Sequence, residues 1–241
     1  MKLLLTSILF ATAITLQAQT VKIGKQKWMA ENLNVDKFRN GEPIPEAKTQ
    51  EEWLNASTKQ QPVWCYYDFR AVQSDPTNGD KYGKLYNLYA VSDPRGLCPS
   101  GWHVPSDDEW TMLTNALGGE KFAGDKIKST TGWKIYYNGT NSSGFNGLPG
   151  GFYCSQVNPN TGEDDMVFSG IGDVAYWWSS TESSEYFGGV KGVFEGGYAK
   201  GAWFRSIGVR EMRDNSSDEN AVYRGPGSTF GLGFSVRCVK D

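Results

Sequence analysis

Apolar and polar positions follow a helical period most clearly in the middle of the chain. Ser106 is followed three residues later by Glu109, a capping-box pattern in which each side chain accepts a hydrogen bond from the other residue's backbone. The next apolar positions fall on one stripe of a helix: Trp110, Leu113 and Leu117. The pattern predicts a buried amphipathic helix over residues 107–117, directly after a short strand at 102–104.

Weaker patterns predict the rest of the fold. A second capping-box pattern, Thr49 to Glu52, predicts a short helix that carries Trp53, and a further helical turn is expected at 124–128. Short alternating stretches predict strands at 20–28 (an edge hairpin), 63–69, 133–137, 151–154, 175–179, 202–206 and 233–239. We therefore predict a single α+β domain with short twisted antiparallel strands, two main helices and long loops.

The first 18 residues are typical of a secretory signal peptide. Lys2 supplies the positive charge, and residues 3–16 form an apolar run that is too short to span a bilayer. Cleavage is expected after Ala18, which leaves residues 19–241 as the exported domain. We expect a secreted protein, extracellular, at the cell surface or in the periplasm. A retained membrane anchor is the alternative.

Composition narrows the classes of function. The formal charge of −3 argues against a partner bound through a nucleic-acid backbone, because such binding needs a basic surface. Aromatic residues make up 14% of the chain, and 29 residues are glycine, a combination that suits rings stacked on sugars as well as rings packed in a core.

Catalytic patterns are scarce. His103 is the one histidine in the chain, which excludes a multi-histidine metal site and predicts a core or hydrogen-bonded structural role. The acidic groups at 107–109 and 163–165 are explained by a helix N-terminus and a solvated loop. We expect a non-catalytic protein, with a glycan-processing enzyme built on a carboxylate pair as the alternative.

One loop offers ligands for a hard cation. Asp75, Asn78 and Asp80 place three oxygen-bearing side chains within six residues, next to a glycine. Calcium is bound by oxygen ligands of this kind in flexible geometry, so it is the one cofactor that the sequence suggests. An Asx-turn loop, in which Asp and Asn bond to their own backbone, is the competing interpretation.

Ligand binding is expected in the long segment 182–230, which is rich in glycine, polar and aromatic residues. The candidate ligand-binding residues are Tyr186, Tyr198, Trp203, Arg205 and Tyr223. Further hydrogen-bond donors in this segment are Arg210, Arg213 and Arg224. The expected partner is a glycan or a cell-surface protein. Core packing is the competing interpretation for these rings, most strongly for Trp203, and a structural subunit of a surface assembly is the alternative function.

Five ordered motifs, at 21–34, 98–110, 144–151, 176–182 and 233–241, resemble those of the Fibrobacter succinogenes major paralogous domain. That family occurs in secreted and surface proteins of Fibrobacter and Bacteroidota, and its biochemical role is not established. The resemblance implies a C-type-lectin-like fold, related to that of sulfatase-modifying factors. A sulfatase-modifying-factor-like enzyme is therefore a further alternative function, although this chain lacks the second cysteine near Cys238 that such chemistry would need. The chain also lacks the tripeptides of calcium-dependent lectins.

The four cysteines of an exported chain favour disulfides. The resemblance implies a Cys98–Cys238 bridge, because both residues lie in its motifs. Cys65–Cys154 then follows by elimination, with two free thiols as the alternative.

Overall fold

The computed structural model describes residues 19–70, 77–134, 136–157, 164–183, 201–208, 220–228 and 231–241. The predicted signal peptide lies outside these ranges. The α-helices of the described part are α1 (Gln50–Thr58), α2 (Asn78–Tyr82), α3 (Leu88–Val91), α4 (Asp107–Ala116) and α5 (Glu120–Ile127). No helix in the described part is long and apolar enough to cross a membrane.

Both predicted N-caps are confirmed. At α4, Ser106 Oγ accepts a hydrogen bond from Glu109 N at 3.2 Å, and the Glu109 carboxylate accepts one from Ser106 N at 2.8 Å. At α1, Thr49 Oγ1 accepts from Glu52 N, but the Glu52 carboxylate accepts from Lys48 N instead of Thr49 N. At α1 the N-cap bond of a capping box is therefore present, but the glutamate carboxylate bonds to the backbone N–H one residue before the N-cap.

The strands are short and mostly antiparallel. They are β1 (Thr20–Ile23), β2 (Gln26–Met29), β3 (Trp64–Cys65), β4 (Leu85–Tyr86), β5 (Trp102–His103), β6 (Gly150–Val157), β7 (Asp164–Ile171), β8 (Val174–Ser183), β9 (Gly201–Gly208), β10 (Tyr223–Ser228) and β11 (Val239–Lys240). They form a four-stranded sheet in the order β1-β2-β11-β5, a five-stranded sheet in the order β10-β9-β8-β6-β7, and the pair β3-β4. The α+β prediction and the N-terminal hairpin are confirmed.

Three strand predictions need correction. In 63–69 the strand covers two residues, and a 3-10 helix with positive φ at Asp68 and Phe69 follows it. In 133–137 the described residues bend, because Asn138 Oδ1 accepts a hydrogen bond from Trp133 N and turns the chain back. The segment 233–239 makes single bridges to several neighbours before it joins the four-stranded sheet as β11.

The five-stranded sheet separates the two main parts of the core. On one face, the ring of Phe234 lies 4.4 Å from Trp178, 5.0 Å from Tyr176 and 5.2 Å from Phe204, centroid to centroid. On the other face, Trp177 packs with Trp110 of α4. The predicted apolar stripe of α4 therefore packs against the sheet.

The Cys98–Cys238 disulfide is confirmed, and its cysteines are separated by 140 positions in the sequence. On a chain-entropy model, a loop of this length adds roughly 5 kcal/mol of stability. Cys65 and Cys154 are both free and buried, so the predicted bridge between them is wrong for this structure. Adjacent residues of β6 point to opposite faces: Tyr153 packs in the small cluster that holds Cys65, whereas Cys154 packs in the main core. Burial raises the pKa of both thiols.

Candidate binding surface

The edge of the five-stranded sheet carries the candidate surface. The edge strand β10 pairs with β9 so that Arg224 lies opposite Arg205, and Pro226 lies opposite Trp203. Because side chains alternate along a strand, Trp203, Arg205 and Arg224 share one face. The first turn of α4 contacts this face, since Arg205 Nη2 donates to Thr111 Oγ1 at 3.0 Å.

Asp107, the first residue of α4, joins the two arginines. Arg205 Nη1 donates to Asp107 Oδ1 at 2.6 Å. Arg224 Nε lies 3.0 Å from each Asp107 carboxylate oxygen, and its Nη2 lies 2.9 Å from Oδ2. Asp107 N also donates to Thr181 Oγ1 of β8 at 2.9 Å. One carboxylate therefore fixes the helix, β9 and the edge strand in a common arrangement.

The charges of this group are stabilised unequally. Burial alone would raise the pKa of Asp107, but the hydrogen bonds and positive charges of Arg224 and Arg205 outweigh burial and lower it. Burial lowers the pKa of Arg205, and Asp107 only partly compensates. Arg205 Nε is also buried and has no hydrogen-bond partner among the described residues. The energetic cost of burying the positive charge of Arg205 is thus offset mainly by its ion pair with Asp107.

Arg224 links the buried group to solvent. Its side chain is 36% exposed, compared with 1% for Arg205. The Arg224 guanidinium carbon lies 3.3 Å from the ring centroid of Trp203, which is half-buried. Stacking of this kind adds a cation–π attraction and holds the guanidinium in one plane. We call the surface formed by Trp203 and Arg224, supported by Asp107, the Trp203–Arg224 face.

Comparison with known proteins places the chain in a family. A sequence model of the Fibrobacter succinogenes major domain matches residues 21–240. The chain belongs to this family. No curated protein and no solved structure matches it. Membership confirms the resemblance found in the sequence motifs, and it assigns no activity to the Trp203–Arg224 face.

The predicted ligand-binding residues lie in different places in the structure. Trp203 lies on the Trp203–Arg224 face. Tyr223 lies on the opposite face of β10, next to Phe204 with 6.1 Å between ring centroids. Arg205 is 0% exposed and pairs with Asp107, which indicates a structural role, and its assignment as a ligand contact stays a prediction. Tyr186 and Tyr198 lie outside the described residues.

Sequence reasoning missed the role of Asp107, whose acidity was attributed to the helix N-terminus alone. Its two arginine partners are 98 and 117 residues away in the sequence, so the cluster depends on sheet register. One local signal was available, because Trp203 and Arg205 are two residues apart in a predicted strand and must share a face.

The calcium prediction is not tested by the structure, because Asp75 lies outside the described residues. Asn78 and Asp80 belong to α2, and the Asp80 side chain is exposed. In the part of the chain that the structure describes, no group of three or more His, Cys, Asp or Glu residues is arranged to hold a metal ion.

His103 forms hydrogen bonds, as predicted, but it is only partly buried. Its Nδ1 lies 2.7 Å from Asp241 Oδ1, and its Nε2 lies 2.9 Å from Glu109 Oε1. Burial opposes protonation of the ring, but the two carboxylates outweigh burial and raise the pKa of His103. The histidine thus ties the C-terminus to the N-terminal turn of α4.

Proposed function

We propose that this protein is an exported, non-catalytic recognition domain that binds glycan at the Trp203–Arg224 face. The observation that supports this proposal is the exposed guanidinium stacked on Trp203 and fixed by Asp107. The Trp203 indole offers an apolar contact for a sugar ring, and the fixed Arg224 guanidinium beside it offers hydrogen bonds for the sugar's hydroxyl groups.

Pre-organisation strengthens the proposal. Arg224 contacts Asp107 through Nε and Nη2, and Nη1 has no hydrogen-bond partner among the described residues. An arginine that is already immobilised loses less side-chain entropy when it binds a ligand, so more of the contact energy appears as affinity. The same features, Trp and Arg at a partly buried site, also suit a protein partner.

The finer fold assignment is part of the same proposal. We propose that the α+β domain has a C-type-lectin-like fold. The pairing of the C-terminal β11 with the N-terminal β2, together with helices packed on short sheets, supports it. Such a fold holds long loops over a rigid sheet, and proteins with a rigid scaffold often carry their binding residues on loops of this kind. Export is proposed on the basis of the N-terminal sequence.

The test is a glycan array probed with residues 19–241, followed by titration of the best glycan against variants. We expect Arg224→Gln and Trp203→Ala each to weaken binding about tenfold or more, as loss of a charged hydrogen bond or a stacking contact would. Arg95→Gln is the matched control, because Arg95 also stacks on a ring, Phe38, and pairs with carboxylates.

The proposal fails if glycan binding is unchanged in both variants, or if the array shows no binding at all. If no glycan binds, capture of a cell-surface protein by the wild type but not by Arg224→Gln would identify the face as a protein-binding site. Protein binding would then replace glycan binding as the proposed function.

A further inference from the structure

A second, separate feature is a cavity of about 260 Å³ between residues 35–39 and 97–100. The apolar side that a ligand can reach consists of Val35, which is half-buried, and Pro99, which is exposed. Phe38 and Leu97 also line the cavity, but they are each only 3% exposed. Its polar side consists of Lys37, Arg39 and Ser100. The cavity is slightly smaller than the roughly 300–1,000 Å³ typical of sites for drug-sized ligands, so it suits a molecule of about one sugar ring.

Arg39 is held in place by neutral groups. Its Nε donates to Cys98 O at 3.1 Å, and its Nη2 donates to Trp102 O at 2.6 Å. Cys98 is fixed in turn by its disulfide. The guanidinium is therefore pre-organised, but carbonyl groups do not cancel its charge.

The positive charge of the cavity is not neutralised within the described part of the chain. Neither Lys37 nor Arg39 forms an ion pair there, and no carboxylate lines the cavity. Nearby Arg95, which stacks on Phe38, shows the opposite arrangement, because it pairs with Glu42 at 2.6 Å and Asp93 at 2.8 Å. Two nearby cations that have no acidic partner among the described residues, beside apolar side chains, make the cavity complementary to an anion with an apolar body.

We infer that this cavity binds a single-ring organic oxyanion, with a carboxylate or sulfate on Arg39 and Lys37 and the ring against Val35 and Pro99. Arg39 Nε and Nη2 donate to backbone carbonyls, so Nη1 is the Arg39 nitrogen left to donate to either oxyanion, and Ser100 offers a hydroxyl donor. The apolar side favours such a molecule over a bare inorganic anion. This site is independent of the Trp203–Arg224 face.

The test is ligand-observed NMR and calorimetric titration of residues 19–241 with glucuronate, glucose 6-sulfate, glucose and inorganic sulfate. We expect glucuronate or glucose 6-sulfate to bind, and comparison of their two titrations shows whether the site prefers a carboxylate or a sulfate. Glucose and inorganic sulfate should bind at least about tenfold more weakly, because each lacks one half of the recognition. Binding should weaken as salt rises, since the site is partly open to solvent.

Lys37→Gln is the decisive variant, because Lys37 is exposed and we expect its replacement to leave the fold intact. We expect it to weaken binding about tenfold, whereas Lys25→Gln, an exposed lysine in the turn after β1, should have no effect. Arg39→Lys keeps the charge but removes the Nη1 donor and the bonds that fix the guanidinium, and should also weaken binding. Equal binding of glucose and glucuronate, binding unaffected by Lys37→Gln, or no binding of either anionic sugar would overturn the inference.

Discussion

Two buried arginines, Arg205 and Arg237, show two ways in which this fold accommodates a guanidinium in its core. Their exposed fractions are 0% and 1%. Arg205 pairs with a carboxylate, Asp107, at 2.6 Å. Arg237 donates to neutral acceptors: Asn32 Oδ1 at 2.8 Å, Met29 O at 3.1 Å and Phe145 O at 2.5 Å.

The neutral arrangement is purely structural. Arg237 also lies over the Phe145 ring at 4.1 Å, and Asn32 Oδ1 accepts a further bond from Trp177 Nε1 at 2.9 Å. Burial lowers the pKa of Arg237, and the charge of Glu31 compensates only weakly. Backbone carbonyls thus replace the counter-ion, and they tie the end of β2 to the 145–146 segment.

The ionic arrangement does more than fill the core, because Asp107 binds a second arginine that reaches the surface. The fold therefore uses one buried ion pair to position an exposed group, and one carbonyl cage to hold its own segments together. The comparison predicts different responses when each cluster is broken.

The largest effect is expected for Asp107→Ala. It leaves Arg205 buried without a counter-ion, so we expect the free energy of unfolding to fall by about 3–5 kcal/mol. Urea unfolding followed by tryptophan fluorescence, with the disulfide intact, measures this change. Combining it with Arg205→Met should recover most of the loss, because an apolar side chain removes the uncompensated charge. A double variant as unstable as Asp107→Ala would show that Arg205 does not depend on Asp107.

A somewhat smaller loss, about 2–4 kcal/mol, is expected for Arg237→Met, because several buried acceptors lose their donor. The same urea titration measures it. Unlike the Asp107 change, this loss has no compensating second substitution, since two of the acceptors are backbone carbonyls. Recovery of stability by Asn32→Leu in the Arg237→Met background would contradict the proposed cage.

The two clusters also differ in how far the sequence predicts them. Local signals predicted α1, α4 and the N-terminal hairpin, because capping residues and alternation act within a few positions. Asp107 illustrates the limit: its place at the helix start was predicted, but its partners come from β9 and β10 and are set by strand register. Arg237 is bonded to Asn32, 205 residues away, and no local pattern indicates that contact.

Some local signals were present but outweighed. Residues 133–137 are aromatic and resemble a strand, whereas Asn138-Gly139 directly afterwards is a turn signal that prevails in the structure. The positive φ of 76° at Tyr136, which is 93% exposed, reflects the same turn. The cysteines show a related limit, since four cysteines allow two bridges but side-chain alternation on β6 separates Cys154 from the cluster of Cys65.

Acidification should have a moderate effect on the free energy of unfolding, and the effect should differ between the Asp107–Arg205 cluster and the Arg237 cluster. The folded-state pKa of Asp107 is lowered, so its contribution is present above the unfolded pKa of about 3.9 and is lost as pH falls through the folded value. The stability difference between wild type and Asp107→Ala should therefore shrink below about pH 4. The cost of Arg237→Met should change much less there, because its hydrogen-bond acceptors do not titrate and the charge of Glu31 compensates it only weakly. His103, whose pKa is raised, stays protonated throughout this range. Urea midpoints between pH 2.5 and pH 6 check both expectations, and parallel changes in the two variants would contradict the comparison.

The smallest effect is expected for Arg224→Gln, which shares Asp107 with Arg205 but is 36% exposed. Solvent and salt screen such a pair, so we expect a loss of only about 0.2–1 kcal/mol in the free energy of unfolding. The loss should shrink further in 1 M salt, where the screening length is about 3 Å. Arg205→Gln is the matched control, with a much larger loss that salt does not change. If Arg224→Gln is as damaging as Arg205→Gln, Arg224 belongs to the scaffold and cannot be the spare donor that ligand binding at this face requires. A small loss leaves Arg224 free to act in recognition, since Asp107 then holds Arg205 in place without it.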